Sequence, residues 1–298
     1  MSDKLTAMNF KWELIRNELS SYYPQREAQS ILRMIQEVRF GITPLDLCLG
    51  RDKPLSIVER EDLKNILERL KKKEPIQYIL GQADFCGLSY HVAPGVLIPR
   101  PETEELVEWA SSELKRDDPA ILDIGTGSGC IAVTLAKRYP HAFVTAFDIS
   151  RQALSIAKTN AERLQVHVTF QKEDILNHLP ERASEKPFPS CTRHTDLWDV
   201  IISNPPYVCR SEAAEIEQHV LQHEPHEALF VPDNDPLLFY RAIAHYAHNT
   251  LRKGGKLYVE INQAWGTETK ALFHETGFEE VELRKDFCDR PRMIRCIR

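Results

Sequence analysis

The spacing of apolar residues predicts helices in the first quarter of the chain. From Asn9 to about Leu70, apolar side chains recur at three- and four-residue steps, the period of an amphipathic helix. Ser56 and Glu59 stand three residues apart ahead of the last apolar run, the arrangement of a capping box. The pattern predicts an N-terminal helical bundle, a domain spanning residues 1–73.

Two short β-like runs follow this predicted bundle. Residues 75–80 and 88–92 are rich in β-branched and aromatic residues, and a glycine-containing segment separates them. Such a pair is typical of a β-hairpin. We therefore predict a hairpin linker over residues 74–95 and a larger domain over residues 96–298.

Beyond Pro119 the period changes, and short apolar runs alternate with helical segments. This alternation predicts an α/β domain with a mostly parallel sheet, helices on both faces and ligands at the carboxyl ends of the strands. Seven strands are predicted, at residues 121–124, 143–148, 166–171, 199–203, 256–261, 279–283 and 293–297. Helices are predicted to begin near Gly127, Arg151, Asp235 and Trp265, and the proline-containing residues 180–198 are predicted to form a surface insertion.

Composition narrows the class of protein. The 298 residues are 42% hydrophobic and 28% charged, as in soluble globular proteins. The N-terminus has no basic segment followed by an apolar core, and no run of roughly 18 apolar residues occurs. We therefore expect a cytoplasmic protein without a membrane partner. The seven cysteines include no C-x-x-C pair, which favours reduced thiols and predicts no metal site.

Charge bears on the expected partners. The net charge is −6, and residues 81–298 carry 24 Lys and Arg against 32 Asp and Glu. Enzymes that act on nucleic acids usually carry a basic surface that neutralises phosphates. No direct nucleic-acid partner is expected.

A polar loop follows the apolar strand predicted at residues 199–203. Asn204 carries a side-chain acceptor and an NH₂ donor, whereas Pro205 and Pro206 offer carbonyl acceptors without N–H groups. Such a tip can accept both hydrogens of a planar –NH₂ group, one at the Asn204 side chain and one at the Pro205 carbonyl, with Tyr207 closing one face. An amide and an exocyclic amine could both be bound in this way. The alternative is that the two prolines only stiffen a turn that has no binding function.

A glycine-rich loop lies where the first predicted strand gives way to a helix. Its residues are Gly125, Thr126, Gly127, Ser128 and Gly129. Glycines there allow a tight turn and a close approach of the backbone to a ligand. The G-x-G-x-G spacing differs from the G-x-G-x-x-G of dinucleotide folds, which counts against NAD.

Acidic residues stand at the ends of the next two strands. Asp148 can accept hydrogen bonds from both hydroxyls of a ribose, or it can cap the following helix, although Ser150 could do that itself. Asp174 is placed to meet an adenine edge, and Ile175 to pack on the ring. A helix N-cap is the open alternative for Asp174.

The order of these loops resembles that of the class I S-adenosylmethionine-dependent methyltransferases, and an Asn-Pro-Pro-Tyr tip points within them to methylation of a planar amine or amide nitrogen. The chain is further similar to the HemK/PrmC family of release-factor glutamine methyltransferases. Five stretches carry this likeness: residues 74–81, 94–104, 123–129, 204–207 and 224–229.

The resemblance implies a fold and a set of roles. The fold is a seven-stranded, mostly parallel, Rossmann-like sheet joined by a β-hairpin to an N-terminal bundle that recognises the substrate. S-adenosylmethionine is bound by Gly125, Thr126, Gly127, Ser128, Gly129, Asp148, Asp174, Ile175 and Asn204. The substrate glutamine is held by Asn204, Pro205, Pro206 and Tyr207, of which Asn204, Pro205 and Tyr207 are catalytic. That glutamine lies in the Gly-Gly-Gln motif of peptide-chain release factors, and the enzyme is expected to be a monomer.

Rival functions remain at this point. An adenine-N6 methyltransferase acting on DNA or RNA would use the same tip on a flipped base, although the acidic larger domain counts against it. A non-catalytic binding protein would not need an intact cofactor loop beside the Asn-Pro-Pro-Tyr tip.

Overall fold

The structure, a computed structural model, describes residues 12–49, 54–179 and 197–298. The chain divides into two compact units, with the boundary between Gly81 and Gln82. The domain limits predicted from the sequence, after residues 73 and 95, stay predictions. All but the last two residues of the insertion predicted at 180–198 lie outside the described residues.

The first unit is helical in its described residues. Its helices are α1 (Trp12–Leu19), α2 (Gln25–Met34, continued by a π-helical turn over Ile35–Arg39), α3 (Pro44–Cys48), α4 (Ile57–Lys71) and α5 (Ile76–Leu80). Their apolar faces form one core, which includes Ile15, Leu19, Ile31, Leu63 and Leu70. The capping box is confirmed, because the Ser56 hydroxyl accepts from the Glu59 N–H at 3.2 Å and the Glu59 carboxylate from the Ser56 N–H at 2.8 Å.

The strand predicted over residues 75–80 is wrong. Pro75 stands at the N-cap of α5, and Gly81 ends the helix in a left-handed conformation with φ of 69°. Proline before a first turn and glycine after a last one favour a helix, and these two ends outweigh the β-propensity between them. The hairpin lies further on, between β1 (Gln82–Phe85) and β2 (Leu88–His91).

The second unit continues with strands and helices in alternation. In chain order they are α6 (Pro101–Glu113), β3 (Ala120–Ile124), α7 (Cys130–Arg138), β4 (Phe143–Asp148), α8 (Arg151–Arg163), β5 (Thr169–Lys172), β6 (Trp198–Ser203), β7 (Val208–Cys209), α9 (Gln218–His223), β8 (Phe230–Val231), α10 (Leu238–Thr250), β9 (Leu251–Glu260), α11 (Gly266–Glu275), β10 (Glu280–Lys285) and β11 (Pro291–Ile297). Short 3₁₀ turns occupy Ile175–His178, Arg210–Glu215, His226–Ala228 and Gln263–Trp265.

Seven of these strands form one sheet, in the order β10-β11-β9-β6-β3-β4-β5. The pairs β3–β4, β4–β5, β3–β6 and β6–β9 are parallel, and β11 runs antiparallel to both of its neighbours. The predicted seven-stranded, mostly parallel sheet is confirmed. After β3 the chain adds strands first on one side and then, from β6, on the other, which opens a crevice beyond the carboxyl ends of β3 and β6.

Helices cover both faces of this sheet. Ile121 packs in one apolar cluster with residues of α6 and α7, whereas Leu122 and Ile124 pack in another with residues of α10. Since alternate residues of a strand point to opposite faces, the central strand is buried on both sides. Among the described residues, no helix combines the length and apolar character that crossing a membrane requires.

Candidate active site

Three of the predicted loops meet at the carboxyl edge of the sheet. The Gly127 N–H after β3 donates to the Asp148 carboxylate at the end of β4, over 2.9 Å. A Cβ placed on Gly125 would lie 3.9 Å from the Asn204 carbonyl oxygen after β6. The parallel pairing of β3 with β4 and β6 brings these residues together, as the strand order requires.

The glycines of the loop after β3 have backbone conformations that other residues rarely adopt. Gly125, Gly127 and Gly129 have φ of 76°, 54° and 82°, in the left-handed region where a Cβ is strained. A Cβ on Gly129 would also lie 2.9 Å from the Ala157 Cβ. The glycines are therefore required by the turn itself, and the open space at Gly127 leaves the backbone accessible to a ligand.

Asp123 lies fully buried beneath this loop. One carboxylate oxygen accepts from the Thr126 hydroxyl at 2.6 Å and from the Ala132 N–H at 3.2 Å. The other oxygen has no hydrogen-bond partner among the described residues, and burial raises the pKa of the carboxyl group to about 7. A buried acceptor without a partner suits a ligand that brings a donor. In the sequence analysis, Asp123 belongs to the stretch 123–129 but is given no role.

The raised pKa of Asp123 predicts a pH-dependent stability. Between the unfolded pKa of about 4 and the folded value of about 7, only the folded state binds this proton. Its contribution to the free energy of unfolding is therefore complete at low pH and falls as pH rises through this window, by at most about 1.4 kcal/mol per pH unit. Asp123→Asn cannot titrate and should abolish that slope. Urea unfolding of both proteins without cofactor at pH 4.5–7.5 measures the difference, and parallel curves would contradict the assignment.

Asp148 connects the glycine-rich loop to the start of α8. Its two carboxylate oxygens accept from the Gly127 N–H at 2.9 Å and from the Ser150 N–H at 2.8 Å. The N-cap of α8 is Ser150, whose hydroxyl accepts from the Ala153 N–H at 3.2 Å. A carboxylate has about four acceptor positions, so Asp148 keeps capacity for a ligand. Its role toward a ribose stays a prediction.

Asp174 is a helix N-cap, the alternative to an adenine contact that the sequence analysis left open. It is the N-cap of the 3₁₀ turn Ile175–His178, and its side chain accepts from the Leu176 N–H at 3.0 Å. Ile175 is buried and packs in the apolar cluster that includes Phe147. The predicted adenine contacts of Asp174 and Ile175 stay predictions.

The Asn204 loop offers two acceptors at the site. Neither the Asn204 side-chain oxygen nor the Pro205 carbonyl accepts a hydrogen bond from any residue that the structure describes. Ser203 anchors the strand end below them, since its hydroxyl donates to the Ile124 carbonyl at 2.7 Å. The two acceptors predicted to hold a planar –NH₂ group are therefore present and without a donor among the described residues.

A buried hydrogen-bond network behind the loop was missed by the sequence analysis. The Asn204 NH₂ donates to the Thr103 hydroxyl at 3.0 Å, and that hydroxyl donates to one oxygen of Glu260 at 2.6 Å. The Tyr207 hydroxyl donates to the other oxygen at 3.0 Å. Burial raises the pKa of both Tyr207 and Glu260. Thr103 and Glu260 are 157 positions apart in sequence, so no local spacing could have paired them.

A second carboxylate joins two stretches quoted for the family resemblance. Glu224 has a fully buried side chain. One of its oxygens accepts from the Arg100 guanidinium at 2.6 Å and the other from the Ile98 N–H at 3.0 Å. This pair holds the segment before α6 against the segment after α9.

Family models match both parts of the chain. The family model described as PrmC N-terminal domain matches residues 13–81, and the one described as Methyltransferase domain matches residues 115–295. Proteins named release factor glutamine methyltransferase are similar along nearly the whole chain. The one from Bacteroides thetaiotaomicron is 44% identical over 96% of this chain and 99% of its own, and that from Flavobacterium psychrophilum is 42% identical over 96% and 97%.

A solved structure shares the fold over most of this chain. The catalytic domain of hMettl16, crystallised in complex with MAT2A 3'UTR hairpin 6, has a TM-score of 0.54 over 74% of this chain and 79% of its own. Its sequence identity is 18%, so this likeness concerns the fold alone.

Proposed function

The chain belongs to the release factor glutamine methyltransferase family, and from that membership we infer that it methylates the side-chain amide nitrogen of a glutamine in peptide-chain release factors. It is an enzyme, and S-adenosylmethionine is its methyl donor. The glutamine of the Gly-Gly-Gln motif is the residue that we propose as the target.

The carboxyl edge of the sheet suits this cofactor. Gly127 leaves the backbone of its loop open to a ligand, Asp148 has unused acceptor capacity, and Asp123 has a buried oxygen without a partner among the described residues. We assign binding of S-adenosylmethionine to Gly125–Gly129 and Asp148, with Asp174, Ile175 and Asn204 at its margin. When bound, S-adenosylmethionine supplies an activated methyl group together with its leaving group.

The chemistry left to the protein is the positioning of a weak nucleophile. The lone pair of a glutamine amide nitrogen is delocalised into its carbonyl group, so the nitrogen must be held close and in line. The Asn204 side-chain oxygen and the Pro205 carbonyl accept its two hydrogens, while Pro206 and Tyr207 shape the pocket wall. The nitrogen takes the methyl group as the cofactor's thioether leaves, and only after this transfer does one hydrogen leave the nitrogen as a proton and pass to solvent. Exclusion of water from the pocket strengthens the hydrogen bonds that orient the amide.

One observation carries this assignment. The Asn204 side-chain oxygen and the Pro205 carbonyl accept from no described residue, and they belong to the turn whose Asn204 backbone carbonyl would lie 3.9 Å from a Cβ on Gly125. Two neighbouring acceptors fit a group with two hydrogens, which an amide –NH₂ has.

We also propose how the protein meets its substrate. The helical domain, residues 1–73, recognises the release factor, because the proposed cofactor loops all lie after residue 120 and a separate PrmC N-terminal family model covers residues 13–81. The enzyme acts as a cytoplasmic monomer without a nucleic-acid partner, in keeping with the acidic balance of residues 81–298.

Isotope-labelled methyl transfer tests the proposed function. Purified enzyme is incubated with labelled S-adenosylmethionine and a release factor, and we expect one methyl group on the glutamine of the Gly-Gly-Gln peptide by mass spectrometry. A release factor with asparagine in place of that glutamine is the matched control and should remain unlabelled. DNA and RNA are assayed in parallel, and label found only in nucleic acid would show the adenine-N6 alternative to be correct.

A further inference from the structure

We propose that Thr103 and Glu260 are positioning residues that determine which end of the Asn204 side-chain amide faces the substrate. This inference rests on the proposed function, because it concerns how the Asn204 oxygen is presented to a glutamine amide. The two ends of an asparagine amide are similar in size, so packing alone distinguishes them poorly. Their hydrogen-bonding roles are opposite, and a neighbour of defined polarity can select one orientation.

The direction of the hydrogen bonds supplies that polarity. A threonine hydroxyl has one hydrogen, and Thr103 uses it to donate to Glu260 at 2.6 Å. Its oxygen can then only accept, and it accepts from the Asn204 NH₂ at 3.0 Å. With the NH₂ end committed to Thr103, the oxygen is the end left for the substrate. A rotated amide would place two acceptors, the Asn204 oxygen and the Thr103 oxygen, against each other.

Glu260 holds the Thr103 hydroxyl in this role. Its side chain is buried, with 1% of the residue exposed. Tyr207 donates to its second oxygen at 3.0 Å, so both oxygens receive one donor. Burial raises the pKa of Glu260, and the Thr103 and Tyr207 hydroxyls and the Arg292 guanidinium oppose this rise. Both Glu260 oxygens act as acceptors in these hydrogen bonds, which keeps the Thr103 hydrogen directed toward the carboxyl group.

The same contacts have a plain structural role, which the test must separate. Thr103 lies in the first turn of α6 and Glu260 ends β9, so their hydrogen bond also joins a helix to the sheet. Loss of a purely structural bond would lower the free energy of unfolding and leave the turnover of the folded enzyme unchanged. Loss of a positioning bond would lower kcat and leave cofactor affinity unchanged.

Thr103→Val is the principal variant, since it keeps the shape of the side chain and removes the hydroxyl. We expect kcat for methylation of release factor to fall about 10- to 100-fold, the scale of a misplaced reacting group. The dissociation constant for S-adenosylmethionine should be unchanged by calorimetry. Thr103→Ser restores the hydroxyl and should recover most of the loss. Thr250→Val is the matched control, because it removes the buried hydroxyl of the last residue of α10, which donates to the Tyr246 carbonyl at 2.8 Å.

A double-mutant cycle shows whether Thr103 acts through Asn204. In an Asn204→Ala background, Thr103→Val should change kcat by less than about twofold, because no amide remains to be oriented. Glu260→Gln provides a second test of the direction of the Thr103 hydrogen bond. Its NH₂ can donate to the Thr103 oxygen and release the hydroxyl hydrogen toward Asn204, so we expect a loss of kcat similar to that of Thr103→Val.

The outcomes are distinguishable from failure of the proposed function. Wild-type enzyme is assayed in every series, and absence of methyl transfer by wild type would overturn the function itself. If wild type is active and Thr103→Val retains its kcat, the orienting role is wrong. Equal losses from Thr103→Val in wild-type and Asn204→Ala backgrounds would also overturn it, since the threonine would then act independently of Asn204.

Discussion

Asn204→Ala is expected to lower turnover on release factor by about 100- to 1,000-fold, the effect of removing one fixed hydrogen-bonding group from an active site, roughly 3–4 kcal/mol in the barrier. The side-chain oxygen that orients the substrate nitrogen is lost, whereas the Pro205 carbonyl remains. Cofactor affinity should fall far less than turnover, because Asn204 lies at the margin of the proposed cofactor site. The protein should stay folded, since the residue lies in a loop beyond the end of β6. Methyl transfer is measured by mass on the Gly-Gly-Gln peptide, with calorimetry for the cofactor.

Asn204→Asp separates the two ends of this amide. The variant keeps an acceptor oxygen but loses the NH₂ that donates to Thr103. It also places a second carboxylate near Glu260, which costs free energy in a buried setting. We expect residual activity that is above that of Asn204→Ala and far below wild type. Wild-type activity in Asn204→Ala would contradict the assignment of this loop to the substrate.

Asp148→Ala is expected to weaken S-adenosylmethionine binding by about 10- to 150-fold, from roughly 1.5–3 kcal/mol for hydrogen bonds to a charged acceptor. Part of this loss is indirect, because the Asp148 carboxylate also holds the Gly127 N–H at 2.9 Å and so shapes the glycine-rich loop. Calorimetry with the folded variant measures the affinity, and thermal unfolding confirms that the fold persists.

A cofactor analogue isolates the direct contact of Asp148. Wild-type enzyme should bind an analogue that lacks the ribose 2′-hydroxyl more weakly than S-adenosylmethionine. Asp148→Ala should bind the two with similar affinity, because the group that distinguishes them is gone. Equal discrimination in both proteins would place the ribose elsewhere and leave Asp148 with its structural role alone.

Much of the second unit is readable from local sequence. Apolar runs such as residues 199–203 are bounded by turn residues, and a run of this length buried on both sides has few alternatives to a central parallel strand. The turn after β3 can likewise be predicted from the sequence. Positions 125, 127 and 129 have left-handed backbone conformations that strain other residues, and all three are glycine. The strand predicted at residues 75–80 was wrong, because the capping residues Pro75 and Gly81 favour a helix there.

The strand segments, the glycine-rich loop and the Asn204 loop could be predicted from the sequence, because each depends on residues close together in the chain. Tertiary structure alone decided how the tip is held. Asn204 meets Thr103 from 101 positions away, and Asp123 becomes a buried carboxyl with a pKa of about 7 only beneath the folded loop. Hydrogen-bond direction and desolvation depend on which groups surround a side chain in space, and that set is chosen by the packing of α6, β6 and β9.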